Sequence, residues 1–277
     1  LGWQYFGLGL GGVNVIYAHP GTLTLLCTDS HLNHEDGPDG RTSYLRSGWP
    51  FFELMVTGLG TPPMWTFDLP TSLKWIRGNF TNPSHKNDQS NQSLYWLREA
   101  HKDAQRLPCN KEEFSRVVKD LHFMNGSDRG FVDKKFAETS EQILGAATAL
   151  VRQNVTQATA EEWGVLLTAT MPKYMDRLVK VNLRFNPLIQ GLSLEVFAAR
   201  AGTLEKLYLN NCPGFLGSLE PLRRCKKLQA LFLSGCVQLE GGLEPLAGLG
   251  ELWKVNLECC FGLTGGVLPL AGLEKLQ

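Results

Sequence analysis

The sequence has no surplus of charge. Its 27 basic and 27 acidic residues cancel, and charged residues make up 19% of the chain. A dedicated nucleic-acid or membrane-surface binder needs a basic excess, so neither class is expected. The one dense basic cluster, Arg223, Arg224, Lys226 and Lys227, reads as a solvated edge. Nor is there an apolar run of the roughly 18 residues that a membrane span requires. The glycine-bearing stretch 123–130 lacks the lysine of a phosphate-binding loop, which rejects a nucleotide site of that type there. Cysteine is scarce and odd in number, seven in all. Cys212, Cys236 and Cys260 recur at one repeat position, Cys225 replaces a repeat leucine, and Cys27 lies in an apolar run. Such placement excludes a disulfide framework and points to reduced, buried thiols in an intracellular, reducing compartment, cytoplasmic or organellar. The four N-x-S/T triplets at Asn79, Asn91, Asn125 and Asn154 would matter only in a secreted chain and read as chance.

What the sequence does have is a repeat of 24 residues over 204–277. Each copy opens L-x-x-L/V-x-L-x-x-C: Leu204, Leu207, Leu209, Cys212; Leu228, Leu231, Leu233, Cys236; Leu252, Val255, Leu257, Cys260. An offset relative sits at Leu178, Val181, Leu183 and Asn186, and another copy opens at Leu276. The alternation through Leu207, Tyr208 and Leu209 predicts a short strand, with leucines inward and Tyr208 outward. Pro221, Pro245 and Pro269 each remove a backbone donor, so the second half of a copy is expected to be a tight turn or a 3₁₀ piece. An apolar helix is expected over 192–201. No copy can bury its leucines alone, so copies must stack. The pattern resembles the leucine-rich repeat family, whose copies run about 20–29 residues with Asn or Cys at the turn. That resemblance implies a solenoid with a protein-binding strand face.

On that face the residues between the leucines project outward. They are Lys206, Tyr208 and Asn210, then Ala230, Phe232 and Ser234, then Lys254, Asn256 and Glu258. Tyr208 and Phe232 are adjacent aromatics on a polar strip, the kind of pair enriched in binding hot spots.

Ahead of the repeats the chain reads differently. Residues 1–17 suggest a helix, Pro20-Gly21 a turn and 22–27 a buried strand. A polar loop over 28–42 follows, then a helix opening Ser47-Gly48-Trp49-Pro50-Phe51-Phe52-Glu53-Leu54. This order suits an α/β layer with a parallel sheet. His31, His34, Glu35 and Asp36 have no Cys partner and read as a solvated loop, so no metal is expected. The S-x-W-x-x-x-E-L run, carried by Ser47, Trp49, Glu53 and Leu54, resembles the C-terminal half of a Toll-receptor-type (TIR) domain; Pro50 stands where Cys is usual. Units of this sort precede repeats in multidomain proteins of unicellular algae and other protists. The resemblance implies that Glu53 could be the glutamate that cleaves the nicotinamide bond of NAD. The family's first strand and its phosphate- and ribose-contacting loop are absent from the sequence, and a lone glutamate does not fix a dinucleotide. The bland reading has Trp49 packing beneath the sheet and Glu53 capping or solvating a helix.

Between the two lies a helical stretch. A helix is expected from 93 to 106, then one capped by Asn110 with Glu113, one over about 130–152, and one capped by Thr159 with Glu162 that ends at Pro172. The expected organisation is α/β: a partial TIR-like (flavodoxin-like) unit over 1–105, a helical connector and cap over 106–172, and a leucine-rich repeat solenoid over 173–277. The chain opens on Leu1 and stops two residues into a copy, so it reads as a segment of a longer protein. The function expected is that of a non-catalytic scaffold, an accessory subunit of a larger assembly. It would bind protein partners through the repeat face, with no cofactor and no nucleic acid. The alternative is a TIR-type NAD-cleaving signalling enzyme using Glu53.

Overall fold

The computed structural model describes residues 24–26, 46–59, 66–68, 106–123, 125–156 and 158–277. The chain divides into two compact units, Leu1–Ile143 and Leu144–Gln277. The expectations for 1–17, 20–21, 28–42 (with His31, His34, Glu35 and Asp36) and 93–105, and those for Cys27, Asn79 and Asn91, lie outside the described residues.

In the first unit β1 (Thr24–Leu26) and β2 (Thr66–Asp68) pair in parallel, with Leu25 opposite Phe67. Helix α1 (Gly48–Leu59) falls between them in sequence, as a parallel pair requires of its crossover. Pro50 sits in its first turn, where a missing N–H costs no helical bond. Helix α2 (Lys111–Val118) is capped as the sequence predicts: Asn110 Oδ1 accepts the Glu113 amide at 2.8 Å. Helix α3 runs Asp128–Ala146. The core joining the three helices is aromatic. Phe114 stacks on Phe136 with centroids 3.9 Å apart, and Phe52 meets both edge-on at 6.3 and 6.5 Å. All three rings are fully buried. Trp49 packs against Phe52 and Phe131, at 5.9 and 6.0 Å, and its Nε1 donates to Asp128 Oδ2 at 3.0 Å. Among the described residues its partners thus lie on its own helix and at the head of α3, where the start of a helix favours the acidic group it holds.

The second unit is built from stacked copies. β3 (Ala149–Val151), β4 (Lys180–Asn182), β6 (Lys206–Tyr208), β8 (Ala230–Phe232) and β10 (Lys254–Asn256) form one parallel sheet in the order β10-β8-β6-β4-β3. Leu150, Val181, Leu207, Leu231 and Val255 lie in one row across it. The first four are buried to 1% exposure or less, and Val255 is half-buried at the last strand. Between turns the chain crosses to a second parallel sheet, β5 (Gln190–Ser193), β7 (Gly214–Gly217) and β9 (Gln238–Leu239). It returns through 3₁₀ helices at Glu220–Arg224, Glu244–Leu246 and Leu268–Leu270, each with its proline in the first turn. The proline-bearing half is thus the short piece expected, but the second sheet was not anticipated. Arg223 and Arg224 face Glu220 and Glu195, and Lys226 reaches the Gly248 carbonyl, so much of the basic cluster is matched along this edge.

Three expectations are corrected. The helix over 130–152 ends at Ala146, and Ala149–Val151 pairs with β4 instead. The edge of a sheet offers that segment a full ladder of partners, which outweighs weak helical preference. The helix over 192–201 shrinks to α6 (Glu195–Ala198), because Leu192 and Ser193 pair with β7. The capping box Thr159–Glu162 forms, but its helix does not stop at Pro172. α4 (Ala160–Val165) widens into a π turn at Leu166–Thr170 and continues as α5 (Met171–Tyr174). The wider turn relieves the clash and lost donor that a proline imposes on a regular helix. Arg200 Nη2 then donates to the carbonyls of Met171 and Pro172, the first two residues of α5.

The turn cysteines bond from copy to copy. Cys212 Sγ donates to the Leu183 carbonyl at 2.9 Å, Cys236 to Leu209 at 3.2 Å and Cys260 to Leu233 at 3.0 Å. Burial pushes the Cys212 and Cys225 thiols up to about 11 and Cys236 to about 12; it raises Cys260 as well. Thiolate is the reactive form, so these groups are inert at neutral pH. Cys259, by contrast, is exposed. Iodoacetamide at neutral pH is therefore expected to modify Cys259 in the folded chain and to spare Cys212, Cys225, Cys236 and Cys260 until urea is added. Peptide mass mapping that finds native-state label at any of these four contradicts the buried ladder.

Candidate functional site

The solvent-side face of the five-stranded sheet is set by strand alternation. Each strand turns one residue of every two inward, and neighbouring strands lie about 4.8 Å apart. Outward residues of successive copies therefore line up. Lys180, Lys206, Ala230 and Lys254 share one row; Asn182, Tyr208, Phe232 and Asn256 share the next. Arg184, Asn210, Ser234 and Glu258 follow just beyond the strands. Phe185 N donates to the Asn210 carbonyl, Asn211 N to Ser234 and Gly235 N to Glu258.

Tyr208 and Phe232 come together, their centroids 5.1 Å apart and their planes 32° apart. Cations surround the pair. The Arg184 guanidinium lies 4.6 Å from the Tyr208 centroid and 5.8 Å from that of Phe232. Lys180 Nζ stands 5.9 Å over Tyr208, and Lys254 Nζ stands 5.8 Å over both Phe232 and Trp253. Each such contact is worth about 0.5–1 kcal/mol when exposed. Two polar atoms of the face, Arg184 Nε and Asn210 Oδ1, are shielded from water without a hydrogen-bond partner among the described residues. Of the face residues named from sequence, Lys206, Tyr208, Asn210, Phe232, Ser234 and Asn256 are half-buried, and Lys254 and Glu258 are exposed. Glu258 stands at the far end of its row from Arg184. Lys180 and Arg184 were missed as face residues. The signal was present, since the Leu178 copy carries them at the positions that hold Lys206 and Asn210 in the next.

Glu53 lies half-buried on α1 between buried Phe52 and Leu54, and Thr57 Oγ1 donates to its backbone carbonyl at 2.9 Å. Among the described residues no cluster of His, Cys, Asp and Glu has metal-binding geometry. Among them, too, no helix is long and apolar enough to cross a membrane.

No family model matches the chain, and no curated protein matches it. Among solved structures it is distantly similar to internalin C2 of Listeria monocytogenes, a leucine-rich repeat protein. The two are 20% identical, with a TM-score of 0.32, over 49% of this chain and 62% of that one.

Proposed function

We propose that the second unit is a leucine-rich repeat solenoid and that the protein works as a non-catalytic interaction subunit, docking a protein partner on the outward face of the five-stranded sheet. The observation that carries this reading is the Tyr208–Phe232 pair, held half-exposed under Arg184 and Lys254. Aromatic and arginine side chains at the centre of a polar surface dominate measured binding energies. Here they cost little to immobilise, because the sheet already fixes them. In this reading β3, the strand beside β4, covers the end of the leucine rows, as a solenoid cap must.

The test uses the full chain as bait, with partners identified by mass spectrometry and then reconstituted pairwise from purified proteins. Tyr208→Ala with Phe232→Ala is expected to weaken the reconstituted complex by roughly thirtyfold, the size of a hot-spot loss. Far-UV circular dichroism and thermal unfolding should stay close to wild type, since both side chains point away from the core. A double variant that binds as wild type, or one that unfolds, overturns the assignment.

A further inference from the structure

We infer that the segment docked on this face is acidic and extended, with one carboxylate seated on Arg184 beside the Tyr208–Phe232 pair; the inference rests on the docking role proposed above. Charge is the first reason. The chain as a whole is neutral, yet among the described residues the outward rows of this sheet hold Lys180, Arg184, Lys206 and Lys254 against one carboxylate, Glu258, with Glu205 next to Lys206 at the start of β6. Ion pairs among the described residues form elsewhere, among them Lys111–Glu141, Arg116–Glu113, Lys135–Glu138, Arg223–Glu220, Arg224–Glu195 and Lys275–Glu251. Three of the four face cations are drawn over aromatic rings instead. They remain available to a partner's carboxylates, and an arginine–carboxylate bond is about twice as strong as a neutral one.

The Arg184 fork is the second reason. Its guanidinium is held over Tyr208 and Phe232, 4.6 and 5.8 Å from their centroids, and its Nε is already shielded, so a carboxylate would accept from the outer Nη groups.

Spacing is the third. The lysine row repeats at the strand interval, with Ala230 leaving a gap between Lys206 and Lys254. An extended segment laid across the strands meets one row position about every 4.8 Å. Nucleic acid fits less well. Guanidinium and ammonium groups already cover the ring faces that bases would stack on, and the neutral chain offers no broad field to hold a phosphate backbone. Glu258 gives the row a polarity: the acidic end of the segment lies toward β4 and away from β10.

The experiment pans a random dodecapeptide phage library against the full chain, then measures synthetic peptides from the selected sequences by fluorescence anisotropy. Selected peptides should be enriched in Asp and Glu. Arg184→Gln should weaken them by roughly tenfold or more, as loss of a charge-assisted contact does. Glu258→Lys should tighten them, a gain that misfolding cannot mimic. Binders that need Tyr208 and Phe232 but carry no acidic enrichment would overturn the acidic assignment and leave the docking role intact. Absence of any binder dependent on Tyr208 and Phe232 would overturn both. A short oligothymidylate bound more tightly than the peptides would make the ligand a nucleic acid and overturn the inference.

Discussion

Leu207→Ala should lower the unfolding free energy of the second unit by about 2–5 kcal/mol. Leu207 sits on β6, the middle strand of five, between Val181 and Leu231 in register. It is wholly buried. Truncation removes the transfer energy of its methyl groups and opens a cavity. The backbone is laddered to a strand on each side, so the walls cannot close over that space. Val255→Ala, in the same row, is the control. Val255 lies on β10, which pairs only with β8 among the described residues, and it is already half-exposed. Its truncation should cost well under half as much. In an array where each copy leans on its neighbours, an interior loss also weakens two interfaces where a terminal loss weakens one. Urea unfolding followed by far-UV circular dichroism measures both. Equal losses at the two positions, or a loss at Leu207 under about 1 kcal/mol, contradict the packing described.

The same row shows what the sequence could reveal. Copies from Leu178 onward announce themselves because aliphatic residues fill all three inward positions and Asn or Cys fills the turn. The copy before them does not. Aligned on β3, its positions are Ala147, Leu150, Arg152 and Val155, where the next copy has Leu178, Val181, Leu183 and Asn186. One leucine in four places is no pattern, and Arg152 on an inward position argues against a strand. Yet Arg152 is fully buried, its Nη1 donating to the Val151 carbonyl at 2.7 Å, and desolvation lowers its pKa to about 10. Register imposed by β4 places it there. The second sheet was hidden for a different reason. β7 and β9 are four and two residues long, too short for period-two alternation to show. A subtler periodic signal was present and unread. Asn154, Phe185, Asn211, Gly235 and Cys259 all have positive φ, and each stands one residue before its copy's turn position. Glycine and asparagine accept that conformation readily, while Phe185 and Cys259 adopt it because the turn requires it. Of the face, Tyr208 and Phe232 were legible from alternation. The cations above them were not, because a contact between copies depends on which strands become neighbours. The first unit was legible at the Asn110 cap, where a local bond decides the start of a helix, but not in what Trp49 holds, a residue 79 positions away.

Asn186→Ala should cost about 3 kcal/mol, and Asn186→Cys about half of that. The later copies explain why the two differ. In each of them the turn cysteine's own N–H bonds to the carbonyl three residues back: Cys212 to Leu209 at 3.1 Å, Cys236 to Leu233 at 2.9 Å, Cys260 to Leu257 at 3.2 Å. Only the carbonyl of the copy before remains to be met, and a thiol, which donates once, is enough. At the first turn the arrangement changes. The Val155 N–H is met by Asn186 Oδ1 at 2.8 Å, and Asn186 Nδ2 donates to the carbonyls of Arg152 and Leu183, both at 2.7 Å. The amide thus bridges the N–H of Val155 and the carbonyl of Arg152, doing with two ends what a backbone bond does in every later copy. Asn186 is completely buried, so no water replaces it. Alanine strands the Val155 donor and the Arg152 carbonyl, while the Leu183 carbonyl keeps the Cys212 thiol. Cysteine restores a bond to one carbonyl and leaves the Val155 N–H unmet. The expected order of stability is Asn, then Cys, then Ala, read from thermal or urea unfolding of the full chain. If Cys at 186 matches Asn, the acceptor side of that amide contributes nothing, and the first turn differs from the others in sequence but not in how it is held.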